Sequence, residues 1–363
     1  MATRCIISLA ASILAVALVS VAAASACLVV GFYDRTCPAA ETIVQQTVAA
    51  AFRNHSGVAP ALIRLHFHDC FVRKGCDGSV LIDSTASNTA EKDAPPNNPS
   101  LRFFDVVDSA KSAVEARCPG VVSCADILAF AARDGVKLAG GVGYPVPAGR
   151  RDGRVSREAD ANNDLPAPTS TAAQLVDNFA AKNLGLDDVV TLSGAHSIGV
   201  SHCSSFLERI YNFTNTTDGI DPSLSKAYAF LLQSVCPPNT TDFFPTTTLF
   251  MDMITPTRLD NKYYVGLANN LGMFQSDVAL LRNATMKKLV GSFIRSDAAW
   301  KRRFARSMIK MGRIGVMSGT QGEIRRNCRV INPVNAIDDA GAHHVLPGSA
   351  GSSSGLSTGV ATS

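Results

Sequence analysis

Apolar residues recur every three or four positions through most of the chain, which predicts amphipathic α-helices. Runs that alternate apolar and polar residues, as strands do, are scarce. We therefore expect a mainly α fold. Three of the periodic stretches are Val44, Val48 and Phe52 behind Pro38, then Phe103, Val107, Ala110 and Val114, and finally Trp300, Phe304, Met308 and Met311.

Capping signals mark two further helices. Ser123-Cys-Ala-Asp126 has the form of a capping box, and the helix that follows is expected to end near Gly140. Thr171-Ala-Ala-Gln174 predicts a second start, with an end near Gly185.

The two ends of the chain differ from its body. Residues 6–26 carry no charge and end in the small-residue pattern Ala24-Ser25-Ala26, which predicts a secretory signal peptide over residues 1–26. A membrane anchor is the alternative, because the stretch is nearly long enough to span a bilayer. Residues 27–332 show no break in composition and are assigned to one domain. Residues 333–363 form a Gly/Ser-rich tail that we expect to be disordered or removed as a sorting propeptide.

Composition narrows the function classes. A chain of 363 residues that is 46% hydrophobic cannot be wholly disordered, and a net charge of +4 without a basic block argues against a nucleic-acid binder. Ten cysteines fit an oxidising compartment. Cleavage would remove Cys5 and leave Cys27 as a free N-terminal thiol, and the other eight cysteines allow about a hundred pairings. Candidate glycosylation sequons lie at Asn54, Asn212, Asn215, Asn239 and Asn283.

Candidate chemistry concentrates in Arg64-Leu-His-Phe-His-Asp-Cys70. On a helix, Arg64 and His68 share a face with Phe67 beside them, while His66 lies about 200° from His68. On a strand, His66 and His68 would instead point the same way and form a metal pair.

A second histidine, His196, follows an expected helix end at Ser193 and Gly194. It is either structural or a metal ligand whose tautomer a partner must fix. Two groups of oxygen-bearing residues resemble loops that hold hard cations such as calcium, although turn capping would explain them equally well. They are Asp69, Asp77 and Ser79, and Asp252, Thr255 and Asp260.

The sequence resembles the class III secretory plant haem peroxidases. The matching stretches appear in the family's order across the body of the chain. They are residues 32–38, 64–72, 91–94, 122–126, 149–152, 192–196, 255–264, 275–277 and 319–325.

The resemblance implies an all-α fold in two lobes with haem b between them. It makes His196 the iron ligand, with Asp277 as the carboxylate behind its ring, and His68 the acid/base that acts on hydrogen peroxide. Asn97 would orient His68, and Arg64 would stabilise negative charge as the O–O bond breaks. The resemblance also places Phe67 at the haem edge and Pro166 at the site of phenolic donors.

Two calcium ions are implied as well. The distal set is Asp69, Val72, Gly75, Asp77 and Ser79 with Glu91 in support, and the proximal set is Ser197, Asp252, Thr255, Arg258 and Asp260. The disulfides implied are Cys37–Cys118, Cys70–Cys76, Cys124–Cys328 and Cys203–Cys236.

Two departures from the family pattern stand out. The segment between Cys70 and Cys76 is one residue longer than usual, which is expected to alter the geometry of the distal calcium loop. Tyr144 replaces the customary tryptophan, and Trp300 lies elsewhere on an expected helix.

We therefore expect a monomeric, secreted enzyme that reduces hydrogen peroxide with phenolic donors, in cell-wall polymerisation or the oxidative stress response, with no nucleic-acid or membrane partner after signal cleavage. The tail leaves vacuolar sorting open as an alternative to the cell wall. The competing hypotheses are a secreted zinc hydrolase using His66 and His68, and a non-catalytic relative that has lost its haem chemistry.

Overall fold

Helices dominate the architecture, as the apolar periodicity predicts. The computed structural model describes residues 28–73, 75–238 and 247–333, and within them thirteen α-helices accompany one two-stranded sheet. The expected signal peptide, Cys27, Asn239 and the tail after residue 333 lie outside the described residues. The helices are α1 (Ala40–Asn54), α2 (Val58–Phe71), α3 (Phe104–Arg117), α4 (Cys124–Leu138), α5 (Glu158–Asp164), α6 (Ala172–Ala181), α7 (Leu186–Ser193), α8 (Leu207–Tyr211), α9 (Lys226–Val235), α10 (Lys262–Ala268), α11 (Gln275–Arg282), α12 (Ala284–Arg295) and α13 (Asp297–Met311).

The sheet joins the two strands that follow α7 and α9. Strand β1 (Val200–His202) pairs antiparallel with β2 (Thr248–Phe250), so that Val200 lies opposite Phe250. Strand β1 begins three residues after Ser197. The sheet therefore brings the chain around Asp252 next to the segment that carries His196.

Helix α2 packs mainly against α4, which lies between α2, α1 and α3. The start of α4 differs from the expected capping box. Ser123 accepts a hydrogen bond from the Asp126 amide (3.1 Å), but the Asp126 carboxylate does not return to Ser123. It instead accepts hydrogen bonds from Tyr33 and Arg150, each at 2.7 Å. The Asp152 carboxylate caps the helix instead, because it accepts hydrogen bonds from the amides of Cys124 and Ala125 (3.0 and 2.9 Å).

Some predicted boundaries shift by a few residues. Helix α1 begins at Ala40 rather than beside Pro38, and α4 ends at Leu138, just before Gly140. Gly140 has a φ of 93°, a left-handed conformation that glycine adopts without steric cost. Helix α6 does have the predicted capping box between Thr171 and Gln174.

Four disulfides cross-link the described chain: Cys37–Cys118, Cys70–Cys76, Cys124–Cys328 and Cys203–Cys236. These are the pairs that the resemblance implies. The Cys124–Cys328 bond ties the first residue of α4 to the C-terminal end of the described chain.

Two main apolar clusters fill the interior, beside a small third one of Val72, Ala94 and Ala161. The larger one runs from α1 to α4 and on to α13, and it contains both Tyr144 and Trp300. Trp300 is fully buried, and its indole N–H donates to the Thr191 carbonyl at 3.1 Å. The smaller cluster surrounds α8, α9 and β2. Among the residues that the structure describes, no helix has the length and apolar character needed to cross a membrane.

Candidate active site

One turn of α2 brings a histidine and an arginine together. Arg64 Nε donates to His68 Nε2 at 3.2 Å, and His68 Nδ1 lies 2.6 Å from Asn97 Oδ1. The amide oxygen of Asn97 can only accept, so Nδ1 carries the hydrogen. Nε2 of His68 therefore carries the lone pair, which accepts the hydrogen bond from Arg64.

Burial and charge keep this histidine neutral. Burial and then the neighbouring Arg64 cation lower the pKa of His68 well below its ordinary value of 6.5. Burial also lowers the pKa of Arg64 to about 10, which leaves the guanidinium charged at neutral pH. The pair is thus an uncharged base beside a fixed cation.

Backbone carbonyls fix the other ends of these side chains. Arg64 Nη2 donates to the Pro96 carbonyl at 2.8 Å. Asn97 Nδ2 donates to the Glu91 carbonyl at 2.6 Å, so the amide of Asn97 cannot rotate freely. His68 is consequently oriented through Asn97 by the segment that contains Glu91.

His66 faces away from this pair, as the helical spacing predicts. Its ring contacts Cys70 Sγ at 3.7 Å, and burial followed by the charge of Arg150 lowers the pKa of His66 to about 3. His66, Asp69 and Cys70 lie close enough to share a metal ion, but the sulfur of Cys70 is bonded to Cys76. Because α2 is a helix, the strand-like zinc pair of the hydrolase hypothesis is not formed.

Phe67 lies on α2 between the face that carries His68 and the face that carries His66, and it is half-buried. Its ring packs edge-on to His68 (centroids 5.5 Å apart) and tilted against Phe71 (4.3 Å). It therefore forms an apolar wall beside the base.

The second histidine has a different partner. His196 lies in a short 3-10 turn directly after α7, and its Nδ1 is 2.8 Å from Asp277 Oδ1 at the start of α11. The Phe274 amide donates to Asp277 Oδ2, also at 2.8 Å. Burial alone would raise the pKa of Asp277, but the charge and hydrogen bond of His196, together with the Phe274 amide, hold it below its ordinary value.

The residues around His196 fit a haem. Nδ1 is engaged by Asp277, which leaves Nε2 of the same ring for a metal. The His196 side chain is 37% exposed, whereas that of Asp277 is 2% exposed, so the ring edge opposite the carboxylate is open. The rings of Tyr263 and Phe274 pack at right angles to it, with centroids 5.9 and 5.5 Å away.

The two histidine regions are neighbours in space. An added Cβ on Gly199, three residues after His196, would approach Pro60 of α2 to 3.2 Å. His202 is also within electrostatic reach of α2, since burial and the cations Arg102 and Arg64 lower its pKa. Its Nδ1 is buried without a hydrogen-bond partner among the described residues.

Three buried carboxylates crowd together at the end of α2. Both carboxylate oxygens of Asp69 and one of Glu91 have no hydrogen-bond partner within the described chain. Burial raises the pKa of Asp69, Asp77 and Glu91, and mutual repulsion adds to the effect for Asp69 and Glu91. Unsatisfied buried carboxylates of this kind fit a divalent cation.

The loop beside this cluster is sterically constrained. Gly75 has a φ of 131°, and a Cβ there would collide with the Ile314 carbonyl (2.0 Å). Arg73 has a positive φ of 51°, and its guanidinium pairs with Asp160 at 3.2 Å. Asp160 and Asp164 thus hold the side chain and the amide of Arg73 in this left-handed conformation.

A second oxygen cluster braces the His196 turn. Thr255 Oγ1 lies 3.1 Å from Asp252 Oδ2 and 3.0 Å from Asp260 Oδ1. The Asp260 amide donates to Ser197 Oγ at 3.3 Å, next to His196. Burial, and then the charge of Asp260, raise the pKa of Asp252. Arg258 approaches Asp260 at 3.9 Å.

Pro166 is half-buried in the connection between α5 and α6. The same connection is tied to the start of α11, because the Ser276 amide donates to the Pro168 carbonyl at 2.9 Å. Pro166 therefore lies on a segment fixed to the helix that carries Asp277.

The sequence did not single out two participants. Tyr263 donates to Asp277 Oδ1 at 2.8 Å, although the stretch 255–264 carried the family resemblance without a role for this residue. The Pro96 carbonyl was also missed, since a backbone acceptor leaves no pattern along the chain.

A neutral histidine beside an arginine, near a second histidine bonded to a carboxylate, fits the site of a haem peroxidase. A family model described as Peroxidase matches residues 44–296. The chain belongs to this family. It is similar to Peroxidase 1 of Zea mays, 54% identical over 332 residues that cover 88% of this chain and 90% of the relative. Peroxidase 5 of Vitis vinifera is 55% identical over 305 residues, which cover 84% and 92%.

A third relative, Peroxidase 64 of Arabidopsis thaliana, is 48% identical over 298 residues that cover 82% of this chain and 91% of the relative. The protein is accordingly a haem peroxidase, which uses hydrogen peroxide to oxidise a reducing substrate. The family implies haem and calcium in general. The hydrolase and non-catalytic hypotheses are set aside.

Proposed function

We propose that His68 is the acid/base of peroxide reduction, with Arg64 and Asn97 as its partners, and that His196 ligates the iron of one haem b per chain. The observation that carries this proposal is the tautomer of His68, whose Nδ1–H is bound to Asn97 and whose Nε2 lone pair faces Arg64. Phe67 would border the haem on the same side.

The proton chemistry then follows from the hydrogen bonds. His68 Nε2 takes the proton from one oxygen of hydrogen peroxide and returns it to the other, which leaves as water. Arg64 stabilises the negative charge that develops between the oxygens in a site shielded from solvent. A bound haem would supply the two electrons that reduce hydrogen peroxide, and the donors would restore them one electron at a time.

Asp277 supports the ligand on the other side. A carboxylate that accepts the Nδ1 hydrogen fixes the ring and increases the electron density that Nε2 offers to a metal. The 2.8 Å contact between His196 and Asp277 suits this role.

Two calcium ions are proposed to complete the structure. The distal ion would be held by Asp69, Asp77 and Ser79 with the carbonyls of Val72 and Gly75, supported by Glu91, and the unpartnered carboxylate oxygens favour it. The proximal ion would be held by Ser197, Asp252, Thr255, Asp260 and the Arg258 carbonyl.

Small phenols are the proposed donors, with Pro166 lining their site. A half-buried proline on a segment fixed to α11 offers a rigid apolar surface to an aromatic ring. Oxidation of phenols suits cell-wall and lignin polymerisation or a stress response.

We also propose that the mature protein is a monomer with no nucleic-acid or membrane partner. It would comprise residues 27–332 after removal of residues 1–26, and it would be secreted to the cell wall. Vacuolar sorting by the tail 333–363 is the alternative.

Absorption spectroscopy of the purified protein tests the central proposal. We expect a strong Soret band that shifts on one equivalent of hydrogen peroxide and returns on addition of a phenol such as guaiacol. A colourless protein that contains zinc would contradict it in favour of a hydrolase. A Soret band that does not respond to peroxide would indicate a haem protein without this chemistry.

A further inference from the structure

We infer that Tyr263 is a positioning residue that sets the reduction potential of the iron, by competing with His196 for Asp277. The inference rests on the proposed function, since it takes His196 as the iron ligand. It assigns a role to a buried hydroxyl that the peroxide chemistry itself does not use.

Both donors reach the same carboxylate oxygen. Tyr263 Oη donates to Asp277 Oδ1 at 2.8 Å, and His196 Nδ1 lies at an equal distance from that atom. The other oxygen, Oδ2, accepts from the Phe274 amide at 2.8 Å. The negative charge of Asp277 is therefore shared among three donors, of which His196 is only one.

Sharing of this kind weakens each individual bond. An oxygen that accepts a second hydrogen bond has less electron density to offer the first donor. The phenol of Tyr263 is neutral at ordinary pH and can only reduce the pull of Asp277 on the His196 N–H. His196 then has less imidazolate character, and the ferric state of a bound iron is stabilised less strongly.

Geometry rules out an incidental contact. Tyr263 is 4% exposed, Asp277 is 2% exposed, and the Tyr263 ring also packs edge-on to His196. The hydroxyl is consequently shielded from bulk water, and Asp277 is the acceptor that it reaches.

The next residue provides a matched control. Tyr264 is equally buried, but its hydroxyl donates to the carbonyls of Val190 and Thr191 at 2.8 and 3.2 Å. Removal of that hydroxyl deletes the same atom from the same helix without touching Asp277.

The experiment compares Tyr263→Phe with Tyr264→Phe in the haem-loaded protein. Spectroelectrochemistry gives the ferric/ferrous potential, and resonance Raman of the ferrous form gives the iron–histidine stretching frequency. Tyr263→Phe should make the ferric/ferrous potential more negative by about 59 mV, which is about a tenfold change in the equilibrium constant for one-electron reduction. It should also raise the stretching frequency. Tyr264→Phe should change neither.

A second replacement covers the case in which Tyr263→Phe does not fold. Site-specific 3,5-difluorotyrosine at position 263 keeps the shape of the ring and makes the hydroxyl a stronger donor. It should move the potential and the frequency in the opposite direction from Tyr263→Phe.

The outcomes separate this inference from the proposed function. If haem binds through histidine but Tyr263→Phe and Tyr264→Phe have the same potential, the role of Tyr263 is refuted and the proposed function stands. If the wild-type protein binds no haem, or its ferrous form lacks an iron–histidine band, the proposed function fails as well.

Discussion

The two histidines of the site carry the same ring but differ in the partner of Nδ1. His68 is bonded to an amide oxygen and lies beside a cation, whereas His196 is bonded to a carboxylate. An amide fixes the tautomer without adding charge, so His68 remains a weak, neutral base that can take a proton and return it. A carboxylate adds electron density, which suits a metal ligand that must stay bound. The acceptor of Nδ1 thus distinguishes His68, the proposed proton shuttle, from His196, the proposed iron ligand.

The supports of the two histidines are alike, because each is connected to a cluster of buried carboxylates. Asn97 is held by the Glu91 carbonyl, next to a cluster of three buried carboxylates. His196 is followed immediately by Ser197, which accepts from the Asp260 amide in a cluster with two carboxylates. Each histidine is therefore adjacent to its own candidate calcium site.

Removal of the base should have the largest effect. His68→Ala eliminates the proton shuttle but leaves His196 and Asp277 intact, so haem should remain bound. The rate constant for reaction with hydrogen peroxide, measured by stopped-flow absorption, should fall by about 10³-fold or more. His55→Ala, which changes an exposed histidine, should leave it unchanged. Near-normal reactivity of His68→Ala would refute the role of His68.

Replacement of the carboxylate partner of His196 with an amide, the kind of partner that His68 has, should have the next largest effect. Asp277→Asn replaces the carboxylate with an amide, so His196 loses electron density. We expect a more positive ferric/ferrous potential and a reaction with peroxide that is roughly 10–100-fold slower. Asp187→Asn, at an exposed position of α7, is the control. An unchanged potential in Asp277→Asn would mean that the carboxylate does not tune the ligand.

The reciprocal change gives His68 a carboxylate partner. It should alter the pH dependence of the rate constant for hydrogen peroxide. Asn97→Asp places a carboxylate against His68 Nδ1, which favours the protonated ring and raises its pKa. The rate constant for peroxide should then fall off at a higher pH than in the wild type, since protonated His68 cannot accept a proton. Asn98→Asp changes the exposed neighbour and should keep the wild-type profile. Identical pH profiles for Asn97→Asp and Asn98→Asp would refute the proposed role of Asn97 as the partner of His68.

Parts of this comparison could be predicted from the sequence. The four-residue spacing of Arg64 and His68 places them on one face of any helix, and His66 on another, because helical geometry is local. The contact between His196 and Asp277 was available only through the family resemblance, since 81 residues separate them.

Contacts between residues that are distant in the sequence explain what the sequence patterns missed. Asp126 fits a capping box, yet its carboxylate is drawn to Arg150 in the buried core, and Asp152 caps α4 in its place. The role of Tyr263 likewise depends on which of two adjacent, equally buried tyrosines points towards α11. Neither choice is visible without the packing of distant helices.

The smallest expected effects distinguish the two calcium sites. Asp77→Asn and Asp252→Asn should each lose one equivalent of calcium by elemental analysis and lower the melting temperature by about 3 °C or more. Only Asp77→Asn should slow the peroxide reaction, by roughly two- to threefold, because its cluster contains Glu91, which holds Asn97. Equal rates in the two variants would mean that calcium does not influence His68.

The central claim is that His68 is held as a neutral base, and the pH dependence of the wild-type rate constant for hydrogen peroxide tests it most directly. Burial and Arg64 hold the pKa of His68 well below 6.5, so the account predicts a constant rate from neutral pH through 6.5 and a decline only well below it. A rate that falls to half its neutral value near pH 6.5 would show an ordinary, protonatable histidine and contradict the account.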